Sequence, residues 1–153
     1  MILKFHFHVR VNGSIVFLHF LTAFVAFASF FLLLFSEFSL NVFSFLGLIL
    51  VIPAFLIIYS AASSLRSQTF VPSRFLVRKG IYSRVRNPMY LGIILLAFGG
   101  FFFSFSVYTL LYALILTVSY LFVIRAEEND LFRRFGRSYD DYRRKVPSLI
   151  PKL

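Results

Sequence analysis

Arg86-Asn87-Pro88-Met89-Tyr90 is where the chain changes character. On its N-terminal side, residues 66–86 carry six Arg or Lys and no acid, and on its C-terminal side residues 88–124 run for 37 positions without a charge. An Asn followed by a Pro is a helix-start signal. Asn suits the N-cap, and Pro suits the first helical position, where its missing N–H is not needed. The junction predicts an apolar helix that enters a membrane at Asn87-Pro88, with Asn87 as its cap and Arg86 at the headgroup level. The unpaired N–H groups of such a first turn form an anion-binding site. Arg86, the Asn87 amide and the Tyr82 and Tyr90 phenols stand beside it in sequence.

Downstream, a helix of 37 residues would be roughly 56 Å long, nearly twice a bilayer core of about 30 Å, so the segment must turn. Gly99-Gly100, Ser104 and Ser106 are the candidate turn positions. Spans over about 88–102 and 107–124 follow as a hairpin, the first short enough for a shallow or partly re-entrant course. Upstream, 15–35 is an apolar run of 21 residues, long enough to span, and 40–62 is a second span, bent at Pro53. A basic start followed by Ala26-Phe27-Ala28 also fits a cleavable leader, but the apolar run continues through Phe35, and this favours a span. The basic loop 63–86 contains a turn at Lys79-Gly80. Residues 125–153 read as two short amphipathic helices on the membrane face, with Gly136 as a C-cap, Ser138 and Asp141 as a capping box, and Pro147 and Pro151 as terminators.

Composition agrees with an all-α integral membrane protein of one domain, 1–153. The hydrophobic fraction is 59% and the charged fraction 14%, against about 25% charged in soluble proteins, and the mean hydropathy is +0.85. The net charge of +10 belongs to loops bordering apolar spans and points to anionic lipid rather than nucleic acid. The 16 basic residues divide as 2 before the first span, 6 in the loop and 8 after Ile124, and the two remaining connections hold none. The positive-inside rule then makes four spans with both termini cytoplasmic, in a prokaryotic inner membrane or the endoplasmic reticulum. With no cysteine, disulfides, thiolate nucleophiles and Cys-ligated metals are excluded. His6-x-His8 lacks a third metal ligand, and Ser60, Ser63 and Ser64 lack a nearby histidine for nucleophilic catalysis.

Two polar clusters flank the final hairpin: Tyr82, Arg86, Asn87 and Tyr90 before it, and Arg125, Glu127, Glu128 and Asp130 after it. A hairpin brings its two ends together, so the clusters should face each other. The alternative is that the arginines only anchor helices and Glu127-Glu128 is a solvated first turn.

The arrangement Leu76-Val77-(x)2-Gly80-Ile81-Tyr82-(x)3-Arg86-Asn87-Pro88-Met89-Tyr90-Leu91-Gly92 resembles the core signature of the isoprenylcysteine carboxyl methyltransferase and phospholipid methyltransferase superfamily. So does Glu127-Glu128-(x)2-Leu131-(x)3-Phe135-Gly136-(x)2-Tyr139-(x)2-Tyr142-(x)3-Val146-Pro147. Together they cover about half the chain, with a catalytic and cofactor region over about 66–151. The resemblance implies S-adenosylmethionine as cofactor, held by Leu76, Val77, Tyr82, Asn87, Pro88, Met89, Tyr90 and Glu127, with Arg86 beside them. It also implies methyl transfer to a lipophilic acceptor entering from the bilayer (a carboxylate, amine or thiol of a lipid-like or prenylated molecule). Glu128, Tyr90 and Arg125 are the candidates for assisting the acceptor. Where many relatives have His, this chain has Asn87, and Arg74 stands where a histidine is common. The arginine that holds a prenylcysteine carboxylate corresponds here to Val123, with Arg125 the nearest substitute, about 200° round the helix. Two other readings stand beside this one: an NADPH-dependent sterol or steroid reductase, whose C-terminal motif lacks the Glu-Glu pair, and a non-enzymatic membrane protein on the same scaffold.

Overall fold

The computed structural model describes residues 42–66 and 76–150, together with the single position Phe24. The expected first span, 15–35, lies outside the described residues apart from Phe24. Among the described residues the order is α1 (Val42–Arg66), a 3-10 turn (Gly80–Ser83), α2 (Pro88–Ser104), α3 (Val107–Phe135) and α4 (Arg137–Lys145), with no strand. By length and composition, Val42–Leu65 and Val107–Phe135 can cross a membrane, while Pro88–Ser104 is a shorter apolar helix. At 17 residues it is about 26 Å long, slightly under a bilayer core.

α1 runs unbroken through Pro53 and continues four residues beyond the expected end at Ala62. Ser63 and Ser64 turn their hydroxyls back onto the Ser60 carbonyl, at 3.0 and 2.7 Å, and so remain compatible with helix. The hairpin turn lies at Phe105, in the left-handed region at φ 44°, followed by Ser106, whose side chain caps α3 by accepting from the Tyr108 N–H. The break falls between the two spans read as 88–102 and 107–124, and of the candidate turn positions Gly99-Gly100 stays helical.

The reason is packing. Gly47, Ala54 and Ala61 recur every seven residues on α1, and Gly92 and Gly99 do so on α2. A Cβ on Gly92 would meet Ile58 at 2.5 Å and the Ala54 carbonyl at 3.1 Å, and one on Gly99 would meet Val51 at 2.5 Å. Ala54 and Ala61 are fully buried. Small residues let two helix backbones approach where no hydrophobic force drives them together, as in lipid. Outside this seam α1 exposes Phe45, Ile49, Ile52, Phe55, Leu56 and Tyr59, and α3 exposes Val107, Leu111, Ile115, Val118 and Phe122, apolar faces of the kind that contact membrane.

α3 does not end at Ile124. It runs for 29 residues to Phe135, about 44 Å, and only α4 remains of the two short helices expected after it. No Gly or Pro interrupts 107–135, and a helix keeps the same backbone bonds whether or not it leaves an apolar zone. Gly136, at φ 53°, stops it. Gly136, not Ser138, also occupies the N-cap of α4, and Ser138 instead accepts from the Arg78 guanidinium through its carbonyl and hydroxyl. Tyr139, Tyr142 and Val146 then pack on Leu76, Leu131 and Phe135, closing a polar end over the helix pair.

Candidate functional site

The site forms where the start of α2 meets the lower half of α3. Asn87 occupies the N-cap of α2 and Pro88 its first position, but the Asn87 side chain makes no capping bond. It is buried and turned the other way, donating from Nδ2 to Glu128 Oε1 at 2.9 Å and to Ser148 Oγ at 3.0 Å. The expected cap is therefore corrected: a partly buried carboxylate attracts the amide more strongly than the helix end does.

Arg86 is also enclosed by protein groups, its side chain 11% exposed. Its Nε and Nη2 donate to Glu128 at 3.1, 2.8 and 2.9 Å, and its Nη1 donates to the carbonyls of Arg143 and Val146 at 2.7 and 2.8 Å. All three guanidinium nitrogens point at protein. Two backbone bonds lock the same junction, Arg86 N–H to Pro147 O at 2.9 Å and Asn87 N–H to Ser148 O at 3.1 Å. Ser148 completes the cluster by donating to Glu128 Oε1 at 3.1 Å. Glu128, a candidate general base by sequence, spends its lone pairs holding α2, α3 and the C-terminal segment together.

Glu127 faces differently. One residue along a helix is a rotation of about 100°, which carries its carboxylate to Tyr90, whose hydroxyl donates to Glu127 Oε1 at 2.8 Å. This pair stands in the wall of a cavity of about 550 Å³, within the range of ligand pockets. Pro88, Met89 and Tyr90 bring the N-terminus of α2 to it, Tyr82 faces across it, and Ile93 and Tyr120 give it an apolar floor. Burial, and after it the Glu127 charge, raises the Tyr82 pKa above that of a free phenol, so Tyr82 is a neutral donor near pH 7. A smaller chamber of about 180 Å³ adjoins, bordered by Leu76, Val77, Leu131, Tyr139 and Tyr142. Leu65, Tyr82, Arg86, Asn87 and Leu131 border both.

Of the residues singled out by sequence, Leu76 and Val77 thus line the small chamber, Pro88, Met89, Tyr90 and Glu127 the large one, and Tyr82, Arg86 and Asn87 both. Glu128 sits behind the wall. Arg125 is not brought in: it is exposed on α3 and borders neither chamber, while Val123 is fully buried. Sequence reasoning missed Leu65, Tyr120, Ser148 and the Arg143 and Val146 carbonyls. Tyr139 and Tyr142 were visible only as motif positions.

The residues present fit S-adenosylmethionine. A carboxylate held by a phenol suits a cationic amino group or ribose hydroxyls, a helix N-terminus suits a carboxylate, and the two joined chambers suit a ligand with a charged end and a flat end.

The family described as phospholipid methyltransferase matches residues 42–138. The protein-S-isoprenylcysteine O-methyltransferase of Schizosaccharomyces pombe is 43% identical over 83 residues, 51% of this chain and 34% of its own. Methanethiol S-methyltransferase 2 of Bradyrhizobium diazoefficiens is 41% identical over 76 residues, 48% of this chain and 27% of its own. Methanethiol S-methyltransferase 1 of the same organism is 34% identical over 131 residues, 83% of this chain and 40% of its own. The matched region of this chain thus spans between about a quarter and two fifths of the length of these relatives.

Proposed function

The chain belongs to the phospholipid methyltransferase family, and on that premise we propose that it transfers a methyl group from S-adenosylmethionine to a lipophilic acceptor at the cytoplasmic face of a membrane. The observation that carries this reading is the Glu127–Tyr90 pair in the cavity wall at the start of α2. When bound, the cofactor supplies a sulfonium methyl that can be displaced in line, its S–C bond breaking as the acceptor–C bond forms.

The chain's own residues bind, orient and exclude water. Glu127 pairs with the ligand's cationic or hydroxyl groups, and Tyr90 fixes the rotamer of Glu127. The α2 N-terminus receives the ligand carboxylate. Ile93, Tyr120 and Leu131 keep the reacting end dry, where holding donor and acceptor in line contributes most. Because both Glu128 oxygens are engaged, Glu128 is not a free base. The arrangement favours an acceptor that is already anionic, a carboxylate or a thiolate, over an amine that must first lose a proton. Such an acceptor reaches the cavity sideways from the bilayer, along the apolar floor.

We place the polar end, with both termini, on the cytoplasmic side of a four-span fold, following the distribution of basic residues. Titrating the protein in detergent with S-adenosylmethionine and, separately, NADPH tests the cofactor. Following labelled methyl into a lipid extract then tests the reaction. Binding of NADPH alone would return the chain to the reductase reading.

A further inference from the structure

Tyr139 lies at the start of α4 and is 1% exposed, yet its hydroxyl is buried with no hydrogen-bond partner among the described residues. Buried polar atoms are almost always paired, and each exception calls for a reason. The fold does not lack means nearby, since Tyr142 in the same cluster donates to the Tyr82 carbonyl at 2.6 Å. A phenylalanine would pack the same ring without leaving a polar atom unsatisfied. The orphan hydroxyl belongs to a side chain that borders the small chamber of about 180 Å³. That volume is below what a whole ligand fills, so it suits one end of a ligand whose remainder lies in the larger chamber. Its other borders are the aliphatic or aromatic Leu65, Leu76, Val77, Leu131 and the Tyr82 and Tyr142 rings, together with Arg86 and Asn87, whose side-chain nitrogens already donate to Glu128. They suit a flat group with apolar faces and polar atoms on its edge.

Resting on the functional reading above, we propose that the small chamber takes the nucleobase end of the cofactor and that the Tyr139 hydroxyl donates to a ring nitrogen on its edge. Tyr139 is then a specificity-determining contact, and its unsatisfied hydroxyl is kept in the ligand-free fold for that purpose. Burial and then the Glu128 charge push the Tyr139 phenol upward, so it holds its proton and donates at neutral pH.

The test compares wild type and Tyr139→Phe, as the full chain in detergent, by thermal melting without ligand and by calorimetry with two probes. S-adenosylhomocysteine carries the base and the amino acid, and 5′-methylthioadenosine carries the base alone. The expected variant melts at the wild-type temperature or above, and its dissociation constant rises roughly 2- to 12-fold for both probes, the worth of one neutral hydrogen bond. Equal affinities for wild type and variant overturn the proposal. A loss confined to S-adenosylhomocysteine moves the hydroxyl to the amino-acid end and overturns the base assignment. A lower melting temperature, or failure to fold, makes the hydroxyl structural and overturns it too. If the wild type itself binds neither probe, the cofactor reading fails and this inference with it.

Discussion

Arg86 and Glu128, 42 positions apart, form a two-pronged ion pair at 2.8 and 2.9 Å, with side chains only 11% and 19% exposed. It joins the residue before the N-cap of α2 to the C-terminal half of α3, and through the Arg143 and Val146 carbonyls it reaches the end of α4. One guanidinium thus fixes the relative position of three helices around the cavity.

Removing either partner should leave the other charge largely buried and unpaired. Arg86→Ala and Glu128→Ala are each expected to cost about 2–4 kcal/mol, somewhat below a fully buried pair. The double variant should cost little more than either alone. Arg86→Lys should not rescue, because a lysine cannot make the fork. Chemical denaturation in detergent gives the four values of the cycle, and additive losses would show the pair to be incidental.

The neighbouring carboxylate should behave in the opposite way. Glu127→Gln is expected to raise the S-adenosylmethionine dissociation constant roughly 10- to 150-fold, the loss of a charge-assisted bond. Tyr90→Phe should have a smaller effect, since it removes only the group that orients Glu127. Calorimetric affinities unchanged by Glu127→Gln would leave the Glu127–Tyr90 pair without a ligand role.

The contrast between these two glutamates shows where the sequence stops being informative. Asn87-Pro88, Gly80 and Gly136 each mark a boundary that the backbone obeys, because a φ near +60° or a missing N–H constrains the local conformation directly. That the two polar clusters meet also follows from a hairpin. Which of Glu127 and Glu128 faces the cavity follows only from the family resemblance, which implies Glu127; the residue pattern alone leaves it open, because adjacent helical positions point about 100° apart and the contacts of Glu128 with Arg86, Asn87 and Ser148 decide between them. The continuation of α3 past Ile124 was hidden by reading the end of the apolar run as the end of the helix. The seven-residue spacing of Gly47, Ala54 and Ala61 was present in the sequence, but Phe and Leu between them dominate the pattern.

That spacing gives the third prediction. Gly92→Ala gains up to about 1 kcal/mol of intrinsic helix propensity, but its Cβ would meet the Ala54 carbonyl at 3.1 Å and Ile58 at 2.5 Å. A backbone atom cannot rotate away, so α1 and α2 must separate. A net loss of about 1–3 kcal/mol is expected from overpacking. Greater stability in a thermal melt would mean that the helices do not pack through this seam.

Alkaline pH should loosen the polar end. Burial, the largest cause, pushes the Tyr142 pKa from 10.0 up to about 12, and its hydroxyl donates to Tyr82 O. The folded state holds this proton more tightly than the unfolded state. Its contribution is therefore fully present below pH 10 and lost as pH rises through about 12. Tyr142→Phe should cost about 0.5–1.5 kcal/mol at neutral pH and decline less steeply above pH 10. Parallel melting curves for the two proteins across that window would rule this contribution out.

Asn87→Asp separates a helix cap from what Asn87 does here. As a cap, Asp would serve as well as Asn. In this structure the Asn87 amide donates to Glu128 and to Ser148, and a carboxylate in its place donates to neither and brings a second negative charge against the first. Arg86 has no donor to spare, since its three nitrogens already serve Glu128, Arg143 and Val146. The expected loss is at least about 2 kcal/mol at pH 7, larger than for Asn87→Ala. Repulsion raises the folded-state pKa of the new carboxylate pair, so the extra penalty should be absent below the unfolded carboxylate range, about pH 4, and grow as pH rises through the raised folded value. Melting temperatures of the two variants measured from pH 4 to pH 8 should therefore converge at the acid end and separate toward neutrality. An Asn87→Asp protein as stable as wild type at pH 7 would show that the amide is not committed to Glu128 and is free to cap α2 or meet a ligand.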